Sequence, residues 1–148
     1  MKPFLVLLSF TLITLIGVWL SSGAWHLRFA ANVGMSVMLL FTALGHFVFW
    51  KGMAMMLPPF IPFRKIIVWA TGVLEIAAAM GLLFPTFRHT TAVWLIIFFI
   101  LIFPANVYAA LQRVDYQKAT YNGPGTDYLW LRTGLQFFFI IWVWFFSW

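Results

Sequence analysis

A single glutamate interrupts the apolar run TGVLEIAAAMGLL at residues 71–83. An ionised side chain at the centre of a membrane helix costs roughly 2.5–3.5 kcal/mol, so Glu75 should either find a polar partner or hold a proton. His46, in the stretch ALGHFVFW, supplies an imidazole that changes its charge near neutral pH. A carboxyl group and an imidazole brought together could bind a polar ligand group or hold a proton inside a membrane.

The stretch LWLRTGLQ adds two more polar side chains near the end of the chain. Arg132 and Gln136 are one helical turn apart on one helix face, so together they could meet the carboxylate of Glu75. A purely structural role is the alternative, because lipid gives helices no hydrophobic reason to associate and hydrogen bonds must hold them together. Arg132 could also extend its charged end to the membrane surface.

Asn106 and Tyr108 lie in the stretch FPANVY, directly after a proline. Pro104 leaves a backbone carbonyl one turn earlier without its helical partner, and it should kink the helix. Asn106 and Tyr108 would then project close to the kink. These residues fit either ordinary packing, which we favour, or the wall of a cavity.

Three methionines in KGMAMMLPP raise the question of a metal site. Thioethers can bind Cu(I), but the chain has no cysteine and this stretch has no histidine. Met53, Met55 and Met56 therefore fit better as a soft apolar segment at the membrane surface. We predict no metal site.

Composition places these residues in a bilayer. Of 148 residues, 64% are hydrophobic and only 8% are charged, which is too little polar surface to cover a protein in water. The absence of cysteine excludes disulfides and thiolate chemistry by this chain. The net charge of +6 comes from scattered basic residues rather than a basic patch, so nucleic acid is not an expected partner.

The apolar runs predict an all-α fold, a polytopic transmembrane bundle forming one domain over residues 1–148. Before the second run, WHLRFAAN could extend its helix, and the prolines of LPPFIPFRK should keep the next connection extended. The turn FPTFRHT is short, so the third and fourth helices should be antiparallel neighbours. The five expected spans are about 4–20, 33–50, 66–84, 91–111 and 128–148.

Helical rise places the strong polar groups in one half of the bilayer. At about 1.5 Å per residue, Glu75 lies roughly 13 Å past the start of its span, and His46 lies roughly 6 Å before the end of its own. Asn106, Arg132 and Gln136 lie roughly 6–12 Å from the same membrane face. We therefore predict one polar pocket in that half.

Basic residues set the expected orientation, because they favour the cytoplasmic side. Six of the nine fall on one face of the predicted bundle: Lys2, Lys51, Arg64, Lys65, Arg113 and Lys118. We expect this face to be cytoplasmic, with the N-terminus inside, the C-terminus outside and the chain in a bacterial inner membrane. The start of the chain also loosely resembles a signal peptide with a small-residue site in SSGA, and this alternative stays open.

As a set, several of these stretches resemble DoxX-type membrane proteins. The resemblance covers about residues 33–111, through MLLFTALGHFVFWKGMAMMLPPFIPF, VWATGVLEIAAAMGLLFPTFRHT and FPANVYAAL, and LWLRTGLQ also fits. It implies a four-helix core, with the first segment as an additional helix. It also implies an association with membrane redox systems, although it carries no assigned catalytic residue.

These patterns lead us to expect an accessory component of a membrane redox system that contacts quinone. Glu75 and His46 would be hydrogen-bond or proton partners of the quinone headgroup, Arg132 would orient it, and Phe47, Phe137 and Phe138 would form apolar walls. The alternatives are a carrier or receptor for a small hydrophobic or weakly acidic molecule, and a structural subunit of a membrane complex. An independent enzyme is the least supported class, because the sequence shows no complete nucleophile and base set.

Reporter fusions test the orientation. We expect alkaline phosphatase to be active when fused at Trp25, on the outer side, and inactive when fused at Gly123, on the cytoplasmic side. High phosphatase activity at Gly123 would contradict this topology.

Overall fold

The apolar runs form helices throughout, and no strand occurs in residues 2–147, the part that this computed structural model describes. Five helices are long and apolar enough to cross a membrane, which confirms an all-α bundle with five candidate spans and an integral membrane protein. A short sixth helix, α3, follows the second. The helices are α1 (Lys2–Ser22), α2 (Leu27–Val48), α3 (Trp50–Met55), α4 (Arg64–Leu83), α5 (Pro85–Leu111) and α6 (Thr126–Ser147).

Two helices, α2 and α5, each begin six residues before their expected spans, at Leu27 and Pro85. Helix α2 starts at Leu27 because the polar side chain of Asn32 finds partners inside the bundle, donating to the carbonyl oxygens of Arg28 at 2.7 Å and Phe146 at 3.0 Å. Helix α5 starts at Pro85, since a first-turn proline lacks only an N–H that would have no helical partner. The expected end of the last span at residue 148 lies outside the described residues.

The connection between α2 and α4 contains a helix that the sequence did not predict. Phe49 has φ −105° and ψ 29°, which ends the regular winding of α2, yet its N–H still donates to Gly45 at 2.8 Å. The chain therefore bends and continues as α3 instead of becoming extended. The proline-rich segment follows and ends at Phe63, directly before α4.

Helix α2 is the centre of the bundle and packs against α1, α4 and α6. Half of its apolar window is buried, compared with 11% for α1 and for α6. The outer helices therefore present most of their apolar surface to lipid. The buried core consists of Leu7, Met35, Met38, Leu39, Ala79, Leu82, Ala92, Leu95, Phe99 and Val143.

Helices α2 and α4 run antiparallel at close range. The Ser36 hydroxyl donates to the Ala79 carbonyl at 2.9 Å, which ties the two backbones together. Gly72 permits the approach nearer the site, because a Cβ added there would lie 2.9 Å from the Cβ of His46. Small residues at such crossings are a common device of membrane helices.

The contact between α1 and α2 depends on Gly34. A Cβ at this position would lie 2.8 Å from the carbonyl oxygen of Leu7 and closer still to the Thr11 hydroxyl. We expect Gly34→Ala to lower the free energy of unfolding by about 1–3 kcal/mol through overpacking. Thermal or denaturant unfolding in mild detergent measures this loss of stability.

Gly17→Ala is the matched control, since nothing lies within 4 Å of a Cβ at Gly17. That change should be neutral or stabilise the helix by up to about 1 kcal/mol. Equal effects of the two substitutions would show that α1 does not pack on α2 through Gly34.

Candidate functional site

The structure brings Glu75 and His46 together between α4 and α2. Glu75 Oε1 lies 3.3 Å from His46 Nε2, and only 7% of the glutamate side chain and 17% of the histidine side chain are exposed. This is the only ion-pair contact among residues 2–147. The carboxyl group and the imidazole, which the sequence placed at neighbouring depths, are therefore in direct contact.

Two threonines complete the pair, and their spacing follows from the antiparallel helices. Thr42 precedes His46 by four residues on α2, just as Thr71 precedes Glu75 on α4. Each threonine therefore meets the titratable residue of the other helix. The Thr42 hydroxyl donates to Glu75 Oε2 at 2.8 Å, and the Thr71 Oγ1 lies 2.9 Å from His46 Nδ1.

The contacts of His46 Nδ1 indicate which imidazole nitrogen carries a hydrogen. His46 Nδ1 lies 3.1 Å from the Val68 carbonyl oxygen, which can only accept a hydrogen bond. The Thr71 hydroxyl donates its one hydrogen to the same carbonyl at 2.7 Å. This arrangement is that of a protonated Nδ1 that donates towards the Val68 carbonyl.

The charge of the pair follows from that tautomer. A contact between Nε2 and Oε1 requires one proton between them, either on the imidazole or on the carboxyl group. In both cases His46 and Glu75 together carry no net charge. A shared proton thus lets a glutamate lie in an apolar bundle without an uncompensated charge.

Gln136 and Asn106 form a second cluster, separate from Glu75. The Gln136 amide nitrogen donates to the Phe99 carbonyl, and the Asn106 amide donates to Gln136 Oε1 at 3.2 Å. The predicted meeting of Gln136 with the carboxylate is wrong, because Gln136 is engaged beside the turn of α5 that Pro104 weakens. Pro104 leaves the Ile100 carbonyl without its helical donor, and Phe99 is the residue directly before Ile100.

The predicted contact between Arg132 and Glu75 is also wrong. The Arg132 guanidinium lies over two aromatic rings, 5.6 Å from the ring centroid of Tyr116 and 5.1 Å from the ring centroid of Tyr128. Both carboxyl oxygens of Glu75 are already bonded to His46 and Thr42, so the carboxyl group needs no third partner. The predicted single pocket is therefore divided between different neighbours.

A cavity of about 650 Å³ opens between α2, α6 and the connection that joins α5 to α6. Its polar side chains include Thr42, Arg132, Lys2 and Asp115. Glu75 and His46 do not line it, and Thr42 stands between the pair and the cavity. Aromatic side chains cover much of the remaining wall: Phe41, Phe49, Tyr116 and Tyr128.

Several expected site residues lie elsewhere. Tyr108 is half-buried on α5 and is not part of the cavity wall. Phe47 packs on the Trp69 ring, with 6.5 Å between centroids, and the Phe137 side chain is 62% exposed, so neither forms the expected wall. Phe138 packs edge-on against Phe139 and tilted against Trp142.

The described part of the chain holds no group of three or more His, Asp or Glu side chains that could bind a metal ion. Met53 from the methionine-rich segment lines the cavity and packs beside Gly45. Its position is that of an apolar wall residue.

Fold and site together define a class: a polytopic membrane bundle with a buried carboxyl–imidazole pair next to an amphipathic cavity. Residues 35–147 match the model of a family described as a domain of unknown function, DUF8561, and the chain belongs to this family. The match includes most of α2 and all of α3 to α6, so α1 precedes it. No curated protein and no solved structure matches the chain. The resemblance to DoxX-type proteins stays a prediction.

The hydrogen bonds of the pair predict how substitutions there affect stability. Glu75→Gln should change the free energy of unfolding by less than about 1 kcal/mol, because an amide can donate to His46 Nε2 and accept from Thr42. His46→Ala should cost about 1–3 kcal/mol, because it leaves a buried carboxyl oxygen without its partner. Denaturant titration in detergent measures both.

His26→Ala is the control, because His26 is an exposed histidine in the turn before α2. It should shift stability by no more than about 0.5 kcal/mol. If His46→Ala were as mild as His26→Ala, the pair would contribute nothing to holding α2 against α4.

Proposed function

We propose that this membrane protein binds a small, mainly apolar molecule from the bilayer and presents a proton-holding group to its polar end. The observation that carries the proposal is the position of Thr42, which lines the cavity and donates to Glu75 at 2.8 Å. A quinone headgroup is the first ligand to test. In that role the protein would be an accessory component of a membrane redox system.

The size and lining of the cavity support a ligand of this kind. Pockets for small molecules usually enclose about 300–1,000 Å³ and have apolar walls with a few placed polar groups. A cavity of about 650 Å³ walled by Phe41, Phe49 and Tyr128 fits that description. Flat aromatic walls suit a planar ring, and an open side would admit a molecule from lipid.

Two polar side chains of the cavity, Thr42 and Arg132, would contact the headgroup in this proposal. When Glu75 holds a proton and donates it to Thr42, the Thr42 hydroxyl hydrogen would turn to one carbonyl oxygen of the headgroup. Arg132 would donate to the other carbonyl oxygen or orient the headgroup. Tyr116 and Tyr128 hold the guanidinium in place through cation–π contacts. Glu75 and His46 would keep a proton one hydrogen bond behind Thr42.

The DoxX resemblance and the distribution of basic residues supply the proposed setting. DoxX-type proteins are associated with membrane redox systems, which is consistent with a quinone ligand and with partner redox subunits. The positive-inside tendency favours a bacterial inner membrane with the N-terminus in the cytoplasm. The cavity, which Lys2 lines, would then open near the cytoplasmic surface.

A second candidate is a carrier or receptor for a weakly acidic hydrophobic molecule, and the charge of the cavity favours it. Lys2 and Arg132 line the wall, and Asp115 is the only acid there. The Asp115 carboxylate accepts the backbone N–H groups of Gln117 at 3.1 Å and Lys118 at 3.2 Å, which occupies one of its oxygens. The positive excess would attract an anionic end group.

Calorimetric titration of the purified protein with decylubiquinone tests the leading proposal. We expect binding that Arg132→Gln weakens about tenfold, because a hydrogen bond from a charged group contributes about 1.5–3 kcal/mol. Glu75→Gln should weaken binding several-fold, because its amide cannot deliver a proton behind Thr42. Arg88→Gln, at the other end of the bundle, should bind like the unsubstituted protein.

The same titration with dodecanoic acid separates the two candidates. Binding of the fatty acid, lost in Arg132→Gln, without binding of the quinone would select the weakly acidic ligand. If neither compound bound, or if Glu75→Gln bound the quinone as tightly as the unsubstituted protein, the quinone proposal would lose its basis.

A further inference from the structure

We propose that Thr42 is a proton relay between the cavity and the Glu75 carboxyl group, with its single hydroxyl hydrogen switching between two acceptors. This inference deepens the proposed function, because it states how a buried pair exchanges protons with the space where a ligand would lie. It concerns a second proton, added to the one that His46 and Glu75 already share.

The first step concerns access. Glu75 Oε1 faces His46, and Glu75 Oε2 faces the Thr42 hydroxyl. On its other side, the imidazole is closed by the Val68 carbonyl and the Thr71 hydroxyl, which both bond to Nδ1. Of these residues only Thr42 lines the cavity. A proton from the cavity therefore reaches the carboxyl group through the Thr42 hydroxyl.

The second step concerns the two acceptors of Thr42. Its Oγ1 lies 2.8 Å from Glu75 Oε2 and 3.0 Å from the Leu39 carbonyl oxygen on its own helix. A hydroxyl has one hydrogen, so it donates to only one of these oxygens at a time. The carbonyl can accept it alongside its helical partner, because a carbonyl oxygen has two lone pairs. Turning the hydroxyl requires only a rotation about the C–O bond.

These two orientations match two protonation states. When the pair shares one proton, Thr42 donates to Oε2. When a proton arrives at Thr42 Oγ1 from the cavity, the original Thr42 hydrogen moves to Oε2, and the hydroxyl keeps the new hydrogen and turns it towards Leu39. One proton has then been bound and the charge of the pair has changed from zero to +1. Delivery to an acceptor in the cavity is the reverse process.

Among the described residues, no titratable side chain other than His46 bonds directly to Glu75, so none offers a path that avoids Thr42. Within residues 2–147, only His46 and Thr42 form an ion pair or hydrogen bond with its carboxyl group. Its carboxyl group makes no such bond with the other charged or titratable side chains of α1 to α6 and of the loop after α5: Lys2, Arg28, Lys51, Arg64, Lys65, Arg88, His89, Tyr108, Arg113, Asp115, Tyr116, Lys118, Tyr121, Asp127, Tyr128 and Arg132.

A pH-jump experiment with time-resolved infrared detection tests the relay without any ligand. The C=O band of the protonated Glu75 carboxyl group reports the added proton. It can be assigned by its absence in Glu75→Gln, since the chain has only three acidic residues. We expect Thr42→Val, which keeps the shape and removes the hydroxyl, to slow the appearance of this band about tenfold or more.

Two further variants separate a relay from a structural role. Thr42→Ser keeps a hydroxyl and should restore the rate. Thr71→Val removes the hydroxyl on the imidazole side, where Nδ1 keeps its contact with the Val68 carbonyl, and should slow the band far less than Thr42→Val does. If Thr42→Val does not fold, Thr42→Ala takes its place as the variant without a hydroxyl.

Protonation of either hydroxyl-free variant at the unsubstituted rate would overturn the relay, because the proton would then reach the carboxyl group by another route. Equal slowing in Thr42→Val and Thr71→Val would also overturn it, because the effect would belong to the geometry of the pair. Failure to bind decylubiquinone would contradict the proposed ligand and leave this result intact.

Discussion

The ion-pair contact between Glu75 and His46 is the constraint around which α2 and α4 are arranged. A carboxyl group among apolar helices must be neutralised and bonded, and the imidazole does both by sharing one proton. Once His46 lies opposite Glu75, the antiparallel register brings each threonine to the other helix's titratable residue. Gly72 then has to stay small, because the Cβ of His46 lies directly over it. The register, the close approach and the site therefore have one origin.

Several other buried polar side chains of the bundle also bond across helix contacts. Ser36 ties α2 to α4, Asn32 ties α2 to α6, and Gln136 ties α6 to α5. Apolar side chains alone would give little preference for one arrangement in lipid, since lipid tails solvate them equally well. A few polar bonds and close-packed glycines therefore specify which helices are neighbours.

The sequence predicted the helices and their approximate depths, but not which faces meet. Hydropathy found the five long runs, and similar depth suggested that Glu75 could meet His46. Depth gives only the position along the membrane normal, so it could not separate Gln136, whose neighbours are on α5, from residues that face α2. Arg132 was misplaced for a related reason, because Tyr116 lies in a loop whose path no periodicity indicates.

Thr42 was missed because a threonine in an apolar helix usually bonds to its own backbone, as Thr42 also does with Leu39. The signal that could have found it is the matched spacing of Thr42 with His46 and of Thr71 with Glu75. On antiparallel helices this pattern places a hydroxyl beside each titratable group.

The choice of side chain at residue 75 argues for more than a structural lock. The same bundle locks its helices elsewhere with Ser36, Asn32 and Gln136, which are neutral and carry no risk of an unpaired charge. A glutamate needs a histidine and a shared proton to reach the same neutrality, so for packing alone it is the more costly choice. What it adds is the ability to gain and lose a proton. That ability lies one hydrogen bond from a cavity large enough for a small molecule, and the neutral locks could not supply it.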